Sequence, residues 1–186
     1  MRIIGGELKG RRLLVPAGRR IRPTSDRVRE AIFDILGPGW NFQKVLDLFA
    51  GTGSLGIEAL SRGAPEAVFV EQGKGVLTVL RGNVKALGLK SRAWVLPLAV
   101  KRGIAVLGER GEGFDLIFMD PPYGKGLVEK TLEEIARRGI ITPSGVIVAE
   151  HSPREEILPP EGLILSQQRR YGDTAVSFFQ EVSQSS

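Results

Sequence analysis

Residues 45–56 read VLDLFAGTGSLG and place Gly51, Gly53 and Gly56 in the spacing G-x-G-x-x-G. A glycine-rich turn between a buried strand and a helix brings backbone N–H groups close to a ligand, so this stretch predicts a nucleotide-like site. The spacing is the fingerprint of dinucleotide-binding folds, and Glu71 falls twenty residues after Gly51, where a ribose-binding carboxylate is expected. A dinucleotide-dependent oxidoreductase is therefore one interpretation.

An acid inside the preceding strand argues against that interpretation. Asp47 stands four residues before Gly51, where it would repel a pyrophosphate but attract the sulfonium and ammonium groups of S-adenosylmethionine. Glu71 could bind the ribose hydroxyls of either cofactor. Each acid also has a structural alternative, because Asp47 could cap backbone amides of the loop and Glu71 could be a surface acid at a strand end.

Downstream of the glycine loop, strands and helices alternate. We predict strands at 44–50, 67–71, 92–96, 114–120 and 145–151, and helices at 54–63, 75–88, 100–107 and 127–139. This alternation indicates an α/β fold with a Rossmann-like, mostly parallel sheet and helices on both faces. Residues 162–182 differ, since two β-rich runs joined by Tyr171-Gly172-Asp173 predict a hairpin that makes one terminal strand antiparallel.

The chain upstream of the glycine loop has two parts. Residues 1–22 alternate short apolar pieces with glycines and basic residues, which predicts a basic β-hairpin or extended arm. Residues 23–36 predict a helix capped by Thr24 or Ser25, with Arg27 and Arg29 off its apolar face and a Gly-Pro-Gly end at 37–39. We therefore divide the chain into an arm (1–22), one α/β domain (23–182) and a polar tail (183–186).

Positive charge is concentrated at the N-terminus. The chain carries a net charge of +5, and residues 1–30 hold nine Lys and Arg against three acids, whereas the remainder holds 17 against 18. This distribution favours contact with a polyanion, although a solvated basic surface would look the same. The candidate RNA-binding residues are Arg2, Lys9, Arg11, Arg12, Arg19, Arg20, Arg22 and Arg27. Arg169 and Arg170 in the terminal hairpin are weaker candidates.

The composition excludes several classes of protein. There is no cysteine and one histidine, His151, so a disulfide framework and a thiolate metal site are excluded, and a catalytic triad or histidine-built metal site is disfavoured. We expect His151 to be structural or on the surface. No apolar run is long enough to span a membrane and the N-terminus lacks a signal-peptide pattern, so we expect a cytoplasmic monomer without metal or membrane partner.

The fourth strand ends in a second motif, FMDPPYG at 118–124. The carboxyl ends of neighbouring parallel strands share one crevice, so this motif should face the same ligand as the glycine loop. The Asp120 carboxylate and the Pro121 carbonyl could accept the two N–H groups of an exocyclic amine and aim its lone pair at a methyl group. Pro121 and Pro122 would fix the backbone, and Tyr123 would stack on a planar base. A simple strand-ending turn is the alternative.

Four stretches together carry a family resemblance. DLFAGTGSLGIEALSRGA at 47–64 with DPPYGKG at 120–126 resembles the class I S-adenosylmethionine-dependent methyltransferases that act on amino groups. RIIGGELKGRRL at 2–13 and RPTSDRVREAIFDIL at 22–36 are similar to the RsmD family, which methylates the N2 amine of a guanine in 16S ribosomal RNA. The resemblance extends over nearly the whole chain.

The resemblance implies a seven-stranded sheet with an antiparallel last strand, S-adenosylmethionine as cofactor, and 16S rRNA in the small ribosomal subunit or its assembly intermediate as partner. By position, the implied catalytic residues are Asp120, Pro121, Pro122 and Tyr123, and the implied cofactor residues are Asp47, Phe49, Ala50, Gly51, Thr52, Gly53 and Glu71. The sequence departs from the family after the third strand. Many such enzymes carry an acid or amide there facing the adenine, whereas Leu98 and Ala99 offer only backbone and apolar contacts.

Two further functions remain open from the residues. Adenine-N6 methylation of DNA or RNA would suit the same amine motif, but 186 residues leave little room for a target-recognition region. A noncatalytic rRNA-binding assembly factor would suit the basic N-terminus, but it would leave the amine motif unexplained.

Overall fold

The computed structural model describes residues 1–16, 23–37 and 41–182, which form a single α/β fold around one sheet. The helices are α1 Pro23–Leu36, α2 Ser54–Ser61, α3 Lys74–Ala86, α4 Val100–Glu109 and α5 Leu127–Arg138. The strands are β1 Lys44–Leu48, β2 Glu66–Val70, β3 Ala93–Leu96, β4 Phe114–Met119, β5 Ile141–His151, β6 Leu163–Tyr171 and β7 Thr174–Glu181.

The sheet has seven strands in the order β3-β2-β1-β4-β5-β7-β6. Strands β1 to β5 pair in parallel, while β7 is antiparallel to both of its neighbours, which confirms the predicted terminal hairpin. The chain runs outward from β1 to β3 and then returns to the other side of β1 with β4. This reversal between β1 and β4 is the point at which doubly wound sheets bind ligands. The glycine loop follows β1 and the Asp-Pro-Pro-Tyr motif follows β4, so both lie at that point.

Two hydrophobic clusters cover the two faces of the sheet. The first packs α1, α2 and α3 against the sheet and includes Phe33 and Phe118, whose ring centroids are 5.6 Å apart. The second packs α4 and α5 against the other face and includes Leu46 and Ile117. Successive residues of a strand point to opposite faces and residues two apart share a face, so the face of each strand-end side chain follows from the cluster that the residue two positions before it joins.

Helix α1 has the predicted bounds, and Gly37 (φ 83°) ends it by donating its N–H to the Phe33 carbonyl at 3.2 Å. One expectation for this helix is wrong. Arg29 does not lie on a solvated face but is buried, with only 2% of its surface exposed. Its guanidinium contacts Asp26 at 3.1 Å and Glu58 of α2 at 3.6 Å, because a buried arginine requires carboxylate partners. Arg29 therefore joins α1 to α2.

The N-terminal residues 1–13 are docked on the domain rather than extended away from it. They form a hairpin-like turn with one β-bridge between Arg2 and Arg12, and both Ile3 and Leu13 are buried in the first hydrophobic cluster. The buried Glu58 carboxylate accepts the N–H groups of Ile4 and Gly5 at 2.8 and 2.7 Å. Ile3 and Leu13 thus anchor this segment in the core, while its basic side chains stay exposed.

Several predictions fall outside the described residues. They concern Arg19, Arg20 and Arg22, the Gly-Pro-Gly end beyond Gly37, the capping side chains of Thr24 and Ser25, and the polar tail at 183–186. The division of the chain at residue 22 also stays a prediction. Within the described ranges, no helix is long and apolar enough to cross a membrane.

Candidate active site

The three glycines of the loop have different structural roles. A Cβ at Gly53 would lie 2.5 Å from Leu80 Cδ1, and a Cβ at Gly56 would lie 2.4 Å from Phe69 Cε1. These two glycines therefore permit close packing of α2 against α3 and the sheet. Position 51 favours glycine because its backbone is left-handed (φ 57°). A Cβ there would have space, since its nearest neighbour, the Phe49 carbonyl oxygen, would be 3.8 Å away. The G-x-G-x-x-G spacing therefore does not distinguish a dinucleotide from S-adenosylmethionine, because two of its three glycines are required by helix and sheet packing.

The loop is held in a strained conformation. Phe49 is the one described non-glycine residue with a positive φ, 58°, a conformation that costs about 1–2 kcal/mol. Ala50 donates to the Val70 carbonyl at 3.1 Å and Gly53 donates to the Ala50 carbonyl at 2.7 Å. The Asn83 amide donates to the Thr52 carbonyl at 3.0 Å. Such strain persists where the surroundings fix it, as at a ligand site.

Glu71 connects the glycine loop to the loop after β2. Its Oε2 accepts the Gly51 N–H at 2.9 Å, and its Oε1 accepts the N–H groups of Gln72 and Gly73 at 2.9 and 2.7 Å. A carboxylate offers about four lone-pair sites, so three of them already have donors. A ribose diol would take the remaining site and share the Gly51 contact. The half-buried position of Glu71 at the end of β2 fits that role.

Asp47 lies beneath the loop, with 2% of its surface exposed. Its Oδ2 accepts the Gly56 N–H at 2.9 Å, as in the structural alternative. Burial raises the pKa of Asp47 to about 8; the Gly56 hydrogen bond opposes this shift, while the charges of Asp120 and Glu71 add to it. A cation placed above the loop would lower the pKa of Asp47 and favour the ionised carboxylate. The position is compatible with a sulfonium or ammonium group above the loop.

Leu98 and Ala99 lie between β3 and α4, next to Glu71. The Glu71 N–H donates to the Leu96 carbonyl at 3.2 Å, and so does the Leu98 N–H, at 2.9 Å. Leu98 is half-buried and Ala99 is exposed at the N-terminus of α4. This segment can offer an adenine the apolar and backbone contacts that the sequence predicts.

The Asp-Pro-Pro-Tyr motif is anchored from two sides. The Tyr123 hydroxyl is 3.3 Å from the Thr174 hydroxyl of β7. Glu155, in the loop after β5, accepts the N–H groups of Gly124 and Ser152 with separate oxygens, each at 3.0 Å. Pro121 is buried, whereas Asp120 and Tyr123 are exposed to solvent. The motif thus presents its acid and its aromatic ring from a fixed backbone.

Three acids of adjacent strands project on one face of the sheet. Each acid stands two residues after an apolar residue of its strand: Asp47 after Val45 in β1, Asp120 after Phe118 of β4, and Glu150 after Val148 in β5. All three apolar residues belong to the first cluster, so the acids share its face. Because β1, β4 and β5 are neighbouring parallel strands, the three acids lie in one crevice at their carboxyl ends, and the charge of Asp120 raises the pKa of both Asp47 and Glu150. Among the described residues, no group of acids and histidines could hold a metal ion.

Sequence reasoning missed Glu150 and Glu155 and considered only His151 at the end of β5. His151 is fully buried, and its ring nitrogens contact the Ser152 carbonyl at 2.9 Å and the Ser177 hydroxyl at 2.8 Å, which matches the structural role that was expected. The signal for Glu150 was its place at the carboxyl end of a predicted parallel strand, where binding residues collect. No local pattern marks Glu155.

The candidate RNA-binding residues that the structure describes are exposed. They are Arg2, Lys9, Arg11, Arg12 and Arg27, together with the weaker candidates Arg169 and Arg170. Arg11 also contacts the Ala86 carbonyl at 3.4 Å. Their accessibility permits contact with phosphates, and their role in binding RNA stays a prediction.

Fold and site together define a class I methyltransferase. The solved Escherichia coli protein yhhF is 34% identical with a TM-score of 0.83, and the match covers 99% of both chains. A solved Thermus thermophilus protein, TTHA0928, is 35% identical with the same TM-score of 0.83 and covers 98% of this chain and 99% of its own. The more distant SMU.776, solved with S-adenosylhomocysteine (SAH), shares the fold at 17% identity and a TM-score of 0.67, over 87% of this chain and 50% of its own.

More particularly, the chain belongs to the family described as Conserved hypothetical protein 95, whose model matches residues 1–180; this is the RsmD family that the sequence resembles. The Escherichia coli protein named Ribosomal RNA small subunit methyltransferase D is 35% identical over 99% of this chain and 91% of its own. The Bacillus subtilis protein YlbH is 38% identical over 97% of this chain and 99% of its own.

Proposed function

We propose that this chain transfers a methyl group from S-adenosylmethionine to the exocyclic N2 amine of a guanine in 16S rRNA of the small ribosomal subunit. An S-adenosylmethionine-dependent methyltransferase of ribosomal RNA is the coarser statement, and it follows from the family and the fold. The guanine and its N2 amine are the finer part of the proposal.

The observation that carries the proposal is the pairing of two features at one sheet edge. The first is an acid, Asp47, whose buried position favours a cation above the glycine loop. The second is the Asp120-Pro121 pair at the end of the adjacent strand, which offers two hydrogen-bond acceptors to an amine. A dinucleotide oxidoreductase would need neither feature.

The residues of the chain have separate roles in the proposed reaction. S-adenosylmethionine, when bound by Asp47, Glu71 and the glycine loop, supplies an electrophilic methyl group. Asp120 and the Pro121 carbonyl would accept the two N–H groups of the amine, so its lone pair could form the N–C bond as the methyl–sulfur bond breaks and S-adenosylhomocysteine is left. The amine then gives up one proton, and Asp120 is the acid placed to receive it. Tyr123 would stack on a base turned out of its helix.

The test is labelled-methyl transfer to small subunits that lack the modification, followed by digestion and nucleoside analysis. We expect N2-methylguanosine at one position. Glu109→Ala, an exposed acid at the far end of α4, is the control variant and should give the same product at the same rate. Formation of N6-methyladenosine would show that adenine is the target base and would overturn the assignment to guanine. The absence of any methylated nucleoside would overturn the proposed activity.

A further inference from the structure

Glu150 is the third acid of the crevice and has no role in the reaction described above. It is the penultimate residue of β5, and the β4–β5 register pairs Met119 with Ala149, so Glu150 lies beside Asp120. On its other side, Glu150 pairs with the apolar Val176 of β7. Its side chain therefore shares a sheet face with the acid of the amine motif, one strand further from the glycine loop.

The groups around Glu150 do little to stabilise the negative charge of its carboxylate. Burial raises its pKa, the charges of Asp120 and Asp47 raise it further, and only the charge of Arg29 opposes the shift. Arg29 is itself engaged with Asp26, Glu58 and the Arg2 carbonyl. No described residue donates a hydrogen bond to the Glu150 carboxylate. A carboxylate in such a place is stabilised by a ligand that brings an N–H donor.

The two candidate bases differ at the atom next to the reacting amine. Guanine carries N1–H, a donor, beside its N2 amine, whereas the N6 amine of adenine lies between the acceptors N1 and N7. A carboxylate one strand away from Asp120 would accept the guanine N1–H. The same carboxylate would face a lone pair on adenine and repel it. An acid at this place can therefore select guanine.

We propose that Glu150 is the specificity residue for the base, accepting the guanine N1–H while Asp120 and Pro121 hold the N2 amine. This inference rests on the proposed function, because it requires guanine N2 as the methyl acceptor. It assigns the three acids of the crevice to different partners: Asp47 to the cofactor cation, Asp120 to the amine and Glu150 to the ring nitrogen beside it.

The test replaces one atom group of the substrate. Small subunits are reconstituted with RNA that carries either guanosine or 2-aminopurine riboside at the position found by nucleoside analysis. 2-Aminopurine keeps the N2 amine but has an unprotonated N1, so the wild type should prefer guanine in kcat/KM. In Glu150→Gln the amide can donate to that N1 as well as accept N1–H, so the preference should fall by about 10–100-fold.

Glu155→Gln is the matched control, since Glu155 carries the same functional group but anchors the backbone at Gly124 and Ser152. It should lower kcat/KM for both substrates alike and leave the preference unchanged. An unchanged preference in Glu150→Gln would overturn the inference while the proposed function stands. Failure of the wild type to form N2-methylguanosine would instead overturn the proposed function.

A second measurement needs no variant. A protonated Glu150 can donate to the N1 of 2-aminopurine, so the wild-type preference for guanine should shrink as the pH falls from about 8 to about 6. The charged groups that face Glu150 are Asp120 of β4, Asp47 of β1 and Arg29 of α1. They act on both substrates, and the ratio of the two kcat/KM values cancels their effect. A preference that is constant over this pH range would contradict the inference.

Discussion

The two ends of the parallel sheet differ in how their charged residues are partnered. At the amino end, Lys44 lies 2.5 Å from Glu112 and 3.5 Å from Glu66, and the Asp115 carboxylate accepts the N–H groups of Gln43 and Lys44 at 2.8 and 3.0 Å. Burial acts to lower the pKa of Lys44, but its hydrogen bond to Glu112 and the nearby negative charges raise it overall. Every one of these groups has an internal partner.

At the carboxyl end, acids lie beside acids. Asp47 and Glu150 are raised in pKa to about 8, chiefly by burial, and Asp120 adds to both shifts. Opposite charges that pair within the protein stabilise the fold, whereas buried like charges are tolerated where a ligand completes the site. Internal ion pairs and hydrogen bonds thus stabilise the amino end of the sheet, whereas acids meet at the carboxyl end, where we propose that a cation and N–H donors bind.

The largest expected effect separates the two ends within one strand. Asp120→Ala should lower turnover by about 10²–10³, the cost of removing one preorganised electrostatic contact, with little change in cofactor affinity. Asp115→Ala, at the other end of β4, should leave the turnover of folded protein unchanged and lower its unfolding free energy by about 1–2 kcal/mol. Single-turnover methyl transfer and urea unfolding measure the two quantities. Near-normal turnover in Asp120→Ala would show that the Asp-Pro-Pro-Tyr motif is a strand-ending turn without a catalytic role.

The exposed basic residues of the N-terminal segment test whether RNA is bound outside the crevice. Deletion of this segment would remove Ile3 and Leu13 from the core, so charge substitution is the better experiment. Replacing Arg2, Lys9, Arg11 and Arg12 by Gln should reduce the magnitude of the slope of log K against log salt by about 2–3 units, because fewer counterions are released. SAH binding should be retained. An unchanged slope would show that the positive charge is only a solvated surface.

Cofactor affinity should depend on the carboxyl end alone. Glu71→Ala should weaken the binding of SAH by about 1–3 kcal/mol, through the loss of charge-assisted hydrogen bonds. Glu112→Ala removes an acid of the amino end and should leave this affinity unchanged. Calorimetry measures both variants. Preferential binding of NAD by the wild type would contradict the cofactor assignment.

The raised pKa of Asp47 has a consequence for stability. Between about pH 4 and pH 8 the folded protein keeps a proton on Asp47 that the unfolded chain releases, so this residue makes the fold less stable as the pH rises. Asp47→Asn removes this dependence and can still accept the Gly56 N–H. Its unfolding free energy relative to wild type should therefore increase by about 1–3 kcal/mol from pH 5 to pH 8, without cofactor. Asp34→Asn, an exposed residue of α1, is the control. A difference that does not change with pH would contradict the burial argument.

Much of the fold followed from local patterns. The strands and helices alternate in apolar runs of distinct period, and Tyr171-Gly172-Asp173 leaves no room for a crossover helix. The placement of Asp47 and Asp120 at one edge followed from the rule that parallel strands share their carboxyl ends. The sequence could not show that Arg29 is buried, because its partner Glu58 comes from another helix. It could not distinguish Glu150 from a surface acid, because the strand order that places it beside Asp120 is a property of the whole sheet.

The most direct test concerns the proposed cation site at the carboxyl end of the sheet, where the cofactor would lie against Asp47. Binding of S-adenosylmethionine near pH 7 should then lower the pKa of Asp47 and release up to about one proton, which calorimetry in buffers of different ionisation enthalpy measures directly. This release should be smaller in Asp47→Asn and unchanged in Asp115→Asn at the opposite end of the sheet. Equal proton release from the wild type and Asp47→Asn would contradict the assignment of the cofactor cation to Asp47.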